Sequence, residues 1–116
     1  MKQYELWWAS MPEPIGRRPV LLLSRGPAFE YLTQVLVVEI STRVRGIPQE
    51  VALGKREGVT ERSVANLDRV QLLPKGALSK RLGALSPKRV SEVKRALGYA
   101  LDWSELKVLS GDAPAQ

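Results

Sequence analysis

The sequence predicts an α+β fold: a curved antiparallel sheet with one amphipathic helix covering an open side. Three observations lead there. Short apolar or β-branched runs fill the first two thirds of the chain, Gly/Pro-rich turns separate them, and a single strongly periodic helical segment follows. A length of 116 residues suits one core and leaves no room for a second domain. The expected layout is one domain over 1–103 and a flexible tail over 104–116.

Tyr4-Glu5-Leu6-Trp7-Trp8-Ala9 is short, aromatic and strand-like. Trp7 and Trp8 are adjacent, so they point to opposite faces, one into the core and the other toward a dimer interface or the helix. Met11 to Gly16 holds two prolines and a glycine, which forbid a helix and predict a loop. Pro19 to Ser24 reads as a strand buried on both faces, with Pro at its first residue, where a strand tolerates it. Arg25-Gly26-Pro27 turns the chain. Gln34 to Ser41 is β-branched and central in character. Thr42 to Pro48 is a basic loop, and Glu50 to Leu53 alternates like a hairpin partner.

Lys55 to Arg62 is polar and loop-like. Ser63–Asn66 and Arg69–Leu73 read as two short strands with Leu67-Asp68 between them, and Ala77–Leu82 as one or two helical turns. The clearest helix follows. Ser86 suits the N-cap and Pro87 the first helical position. Val90, Val93, Leu97, Ala100 and Leu101 then fall on one face of a 3.6-residue period, with Lys88, Arg89, Glu92 and Arg95 opposite. Gly98 inside this helix points to close packing. Trp103 is expected to seal the helix end against the sheet, and 110–116 to be disordered.

Composition then restricts the chemistry. A hydrophobic content of 44% with 26% charged residues is that of a globular chain rather than a disordered one. The chain has no cysteine and no histidine. Disulfides, thiolate metal sites, Ser-His-Asp and Cys-His nucleophiles and nearly all zinc sites are thereby excluded, and no metal or other cofactor is expected. Catalysis would have to use carboxylates, Arg, Lys, Tyr or hydroxyls. The N-terminus lacks the pattern of a signal peptide and no apolar run is long enough to span a bilayer, so a soluble, cytoplasmic protein without membrane contact is expected.

The net charge of +6 points to an anionic partner. Residues 75–95 hold seven Lys or Arg against one acid, while the rest of the chain holds eleven of each sign, so the excess sits on the C-terminal helical part. One basic group stands apart from it. Arg18, in Gly16-Arg17-Arg18-Pro19, is pinned between a Gly-led turn and a Pro-started apolar run. Its guanidinium is always charged and presents a planar fork of donors that fits phosphate.

Four segments in order resemble the MazF/PemK (Kid) family of toxin endoribonucleases, from about Tyr4 to Leu101. Glu5-Leu6-Trp7-Trp8 is similar to the family's opening strand, with Tyr4 replacing its usual Gly. Gly16-Arg17-Arg18-Pro19-Val20-Leu21-Leu22-Leu23-Ser24 is similar to its second strand. Ile40-Ser41-Thr42 leading to Arg45-Gly46-Ile47-Pro48-Gln49-Glu50-Val51-Ala52-Leu53 is similar to its third and fourth, and Ser63-Val64-Ala65-Asn66-Leu67-Asp68-Arg69-Val70-Gln71 to its next strand pair.

The resemblance implies an SH3-like, partly open β-barrel of the kind shared by MazF and CcdB, usually a homodimer. It implies metal-independent, sequence-selective cleavage of single-stranded RNA, mRNA above all. The ribose 2′-OH would attack the adjacent phosphorus and leave 2′,3′-cyclic phosphate and 5′-OH ends. The partner it implies is a small, acidic antitoxin lying over the RNA groove. Matched residue by residue, Arg18 would stabilise the phosphate and could also give a proton to the leaving 5′-oxygen, Glu13 would be the loop base, and Ser41 would touch the scissile phosphate, with Thr42 as fallback. Asp68 would be a further acid or base. Arg17, Arg43 and Arg45 would track the RNA backbone and Asn66 would read a base edge.

Two other readings share the scaffold. One is a CcdB-like gyrase inhibitor that cuts nothing. That group places its functional residues at the chain end, including a Trp, whereas thirteen residues follow Trp103 here. The other is a catalytically inert RNA-binding module, which would show salt-dependent affinity with intact RNA.

Overall fold

A computed structural model describes residues 1–109. Six strands form one antiparallel sheet: β1 (Glu5–Ser10), β2 (Arg17–Leu22), β3 (Gln34–Ser41), β4 (Glu50–Leu53), β5 (Ser63–Pro74) and β6 (Leu78–Ala84). Their order across the sheet is β4-β5-β3-β2-β1-β6. Three helical segments accompany them: α1 (Ala28–Tyr31), α2 (Pro87–Leu101) and α3 (Ser104–Lys107). No helix among the described residues is long and apolar enough to cross a membrane.

The sheet curls and buries both faces. On one face Leu6, Leu21, Val38, Ile40, Val51, Leu53 and Ala65 pack against Val93 and Ala96 of α2. On the other, Ala9, Val20, Leu22, Val35 and Val37 pack with Met11, Phe29, Leu73 and Leu78. Val20, Leu21 and Leu22 are consecutive and fully buried, as a central strand between two cores requires. The two edges of the curl nearly meet at Gly58 and Gly83. A Cβ on either would collide with the other's backbone, on Leu82 and Glu57 respectively, and Gly58 also sits at φ +103°.

Four expectations change. Ala77–Leu82 is not helical, because Leu78–Ala84 is β6, paired along β1 with Trp8 against Lys80 and Trp7 against Arg81. The two short strands are one, β5, interrupted by a large bulge. Val38 pairs with Val70 and Ile40 with Ala65, so residues 66–69 stand against Glu39 alone. Pro19 is the third residue of β2 rather than its first, opposite Trp8. The short helix α1 follows Pro27 where only a turn was expected.

The helix α2 forms as expected, with Ser86 Oγ accepting from the Arg89 N–H at 3.3 Å. The chain stays ordered past residue 103. Asp102 adopts a left-handed C-cap, and α3 folds back so closely that a Cβ on Gly98 would lie 2.7 Å from Leu106 Cβ. Trp103 is half exposed rather than buried against the sheet, and it is α3 that packs back on the end of α2. The expected disorder of 110–116 lies outside the described residues.

Candidate active site

Strand alternation builds the site. Arg18, Val20 and Leu22 share one face of β2, and Val37, Glu39 and Ser41 share the matching face of β3. Toward one end of the sheet this face is the second core. Toward the other the apolar residues stop, and Arg18, Glu39 and Ser41 open into a cleft of about 280 Å³. Ile15, Arg43, Arg45, Val64, Asn66 and Arg69 complete its lining.

Arg18 and Glu39 form an ion pair, Nη1 to Oε1, at 3.3 Å. The Arg18 side chain is 40% exposed and that of Glu39 13%, so the carboxylate lies at the floor and the guanidinium reaches into the opening. The turn before β2 fixes Arg18's start. Gly16 adopts φ +73°, and its carbonyl accepts from the Met11 N–H at 2.9 Å.

At the end of β3, Ser41 Oγ accepts from the Arg43 N–H at 3.1 Å, which orients the hydroxyl while leaving its own O–H able to donate. The loop beyond is tied by Glu50. Its carboxylate accepts from the Arg45 N–H at 3.0 Å and the Gly46 N–H at 2.8 Å, so Arg43 and Arg45 are carried on an anchored backbone. The β5 bulge contributes from the other side. It turns Asn66 and Arg69 onto the cleft while Leu67 enters the first core.

Of the residues singled out from the sequence, Arg18, Ser41, Arg43, Arg45 and Asn66 come together in the cleft. Four do not. Glu13 is an exposed loop residue outside its lining. Asp68 lies on a separate, mainly apolar groove with Tyr4, Leu36, Val70 and Leu101, and its N–H donates to Asn66 Oδ1 at 2.9 Å in an Asx-type turn. Thr42 faces away, beside Trp8 and Pro19. Arg17, one residue from Arg18, projects to that opposite face, where its guanidinium lies 4.4 Å from the Trp8 ring centroid. Trp8 is thus a platform for Arg17, while Trp7 packs on the second core and donates from Nε1 to Glu5 at 3.1 Å.

Glu39, Arg69 and Glu50 escaped sequence reading. Glu39 was legible in principle: a charged residue interrupting Val-Val-x-Ile in a central strand, two positions before Ser41, must share Ser41's face. Arg69 depends on the bulge and carried no such signal.

The fold has close counterparts. A profile described as PemK-like, MazF-like toxin of type II toxin-antitoxin system matches residues 2–101. The chain is 41% identical over 101 residues to the probable endoribonuclease MazF5 of Mycobacterium tuberculosis, covering 86% of this chain and 92% of that protein. Among solved structures it resembles the Mycobacterium tuberculosis toxin MazF-mt6, at 32% identity and a TM-score of 0.79, covering 84% of this chain and 96% of that one. A mycobacterial endoribonuclease in complex with its cognate antitoxin shares the fold at 24% identity and a TM-score of 0.79, over 89% of this chain and 96% of that one. The curled sheet and the C-terminal helix are therefore those of a toxin of this class. The chain belongs to the PemK-like, MazF-like toxin family of type II toxin-antitoxin systems.

Proposed function

We propose that this protein is the toxin of a toxin–antitoxin pair and acts as a metal-independent, sequence-selective endoribonuclease on single-stranded RNA in the cytoplasm. The observation that carries this reading is the cleft itself. It sets Arg18, three further arginines and the Ser41 hydroxyl around one polyanion-sized opening, in a chain 41% identical to a probable endoribonuclease. The ribose 2′-OH attacks the adjacent phosphorus, leaving 2′,3′-cyclic phosphate and 5′-OH ends. Negative charge accumulates on the non-bridging oxygens in that step, and preorganised donors aimed at it lower the barrier most. Arg18 supplies a charged fork for those oxygens, and Ser41 donates a hydrogen bond from the end of β3. Its guanidinium carries a delocalised, permanent positive charge, so Arg18 stabilises charge rather than giving up a proton. Arg43, Arg45 and Arg69 hold the flanking phosphates, and Asn66 offers an amide to a base edge. Glu13 and Asp68 take no part in this step.

Membership of a toxin–antitoxin family supports an acidic antitoxin peptide that competes for the same basic cleft. The exposed apolar face supports a homodimer. Leu36 and Leu72 pair across β3 and β5, with Val70 and Leu101 beside them, and such a strip on a soluble chain fits a second copy. The nuclease reading is favoured over gyrase inhibition because the relatives are named endoribonucleases and the Arg18 cleft is present.

The test is incubation with a long unstructured RNA in EDTA, beside Arg18→Ala. Cleavage at a few sites by wild type, reduced at least 100-fold in the variant, is expected. Loss of one charge-stabilising donor typically costs about 10²–10³ in rate. Intact RNA with folded wild-type protein would overturn the assignment.

A further inference from the structure

The arrangement of Arg18 and Glu39 raises a question the established chemistry of phosphate stabilisation does not answer: which group takes the proton of the attacking hydroxyl. The cleft is lined by four arginines, one serine, one asparagine, two apolar residues and a single carboxylate, Glu39. An arginine cannot accept a proton, and a serine at neutral pH accepts one only with a stronger base beside it. Glu13 lies outside the lining, and Asp68 opens on a different groove. Among the described residues, Glu39 is therefore the one side chain of the cleft able to act as base. It is also deliberately placed: its side chain is 13% exposed on a central strand, at the single position of β3 that faces the whole 66–69 bulge.

In the cleft Glu39 is paired with Arg18 at 3.3 Å, with Arg43, Arg45 and Arg69 around the same opening. A phosphate placed at Arg18 competes for Nη1, the guanidinium nitrogen paired with Glu39. Once Arg18 turns to phosphate, the Glu39 carboxylate is released from that ion pair. Substrate binding thereby frees the carboxylate at the moment the hydroxyl is present.

We propose, resting on the endoribonuclease reading above, that Glu39 is the general base of the reaction and that Arg18 restrains it until the scissile phosphate displaces it. The step balances without any other reagent. The 2′-O–H proton passes to a Glu39 carboxylate oxygen as the 2′-oxygen forms its bond to phosphorus. The P–O5′ bond breaks, and the departing 5′-oxygen takes a proton from solvent water. Glu39 then returns its proton to solvent and re-engages Arg18.

The test compares wild type, Glu39→Gln and Glu39→Asp on an RNA oligonucleotide that wild type cuts, across pH 4.5–8.5, following kcat and KM separately. Binding of a non-cleavable 2′-deoxy version is measured in parallel. Glu39→Gln keeps the shape and removes the base. It is expected to lower kcat by about 10²–10⁴-fold, to abolish the acidic limb of log kcat against pH, and to leave binding equal or tighter because a competitor for Arg18 is gone. Glu39→Asp is expected to recover part of kcat with an acidic limb. A Glu39→Gln enzyme with wild-type kcat would overturn the proposal. So would one that is slower but keeps the acidic limb, or one whose loss is wholly a loss of binding or of the native melting transition, either of which would make Glu39 structural. Inactive wild type would overturn this proposal together with the nuclease reading, whereas active wild type with active Glu39→Gln removes only the role of Glu39.

Discussion

Glu5 is one of few buried charged side chains among the described residues, and its ionisation is tied to folding. Burial by itself would raise its carboxyl pKa. Hydrogen bonds from Arg81 Nε at 2.7 Å, from Trp7 Nε1 at 3.1 Å and from the Lys2 N–H at 2.8 Å outweigh that and hold it below its ordinary value of 4.5. A depressed carboxyl pKa stabilises the fold fully above the unfolded value and ceases to do so as pH falls through the folded value. Glu5→Gln should therefore destabilise the protein by about 1.5–3 kcal/mol at pH 7, the worth of hydrogen bonds to a charged group. Thermal melts of the two proteins should converge as pH drops below 4.5. A gap that stayed constant down to pH 3 would assign the effect to packing instead. The same residue ties β1 to the edge strand β6 across the sheet, through a contact between positions 5 and 81 that no local pattern announces.

The elements that were legible are those whose neighbours do not alter their period. Gln34–Ser41, Glu50–Leu53 and the capped helix α2 emerge as their residues suggest. Two elements were not. In β6, Leu78 and Leu82 are four apart and invite a helical reading, while Ser79, Lys80 and Arg81 show no alternation. As an edge strand, β6 can leave its polar residues in solvent, so the period-2 signal is lost. In β5 the bulge hides continuity, since Asn66 to Arg69 look like a turn and are a deliberate misregister. Helix α3 is held through Gly98: the Trp103 N–H donates to the Gly98 carbonyl at 2.7 Å, and an added Cβ would meet Leu106 Cβ at 2.7 Å and Lys107 N at 2.8 Å. Gly98→Ala gains up to about 1 kcal/mol of helix propensity in α2. Because α3 has no buried residue, the cost falls on its docking rather than on the core. The expected outcome is an unchanged or slightly raised melting temperature together with loss of hydrogen-exchange protection at 104–109. Retained protection there would contradict the close packing.

Across the whole molecule, charge and shape coincide at the cleft. The net charge of +6 is concentrated by sequence in residues 75–95, yet the arginines that line the cleft, 18, 43, 45 and 69, come from outside that segment. Their convergence is a property of the fold. β2 supplies one, the loop anchored by Glu50 supplies two, and the β5 bulge supplies the last. Arg18 was legible because it sits between a Gly-led turn and a Pro-started apolar run, and Ser41 was legible only through the family resemblance. Glu39 and Arg69 were not singled out, because their meaning depends on strand register and on the bulge. The central claim is that the RNA's own 2′-hydroxyl is the nucleophile, brought in line over Arg18. It is tested most directly with an oligonucleotide carrying one cleavage site, either all-ribose or with a single 2′-deoxy sugar on the 5′ side of the scissile phosphate. The prediction is cleavage of the first to a 2′,3′-cyclic phosphate in EDTA, and no detectable cleavage of the second although it binds equally well. Cleavage of the deoxy substrate at a comparable rate would mean that water or a protein group attacks phosphorus, and would contradict the mechanism.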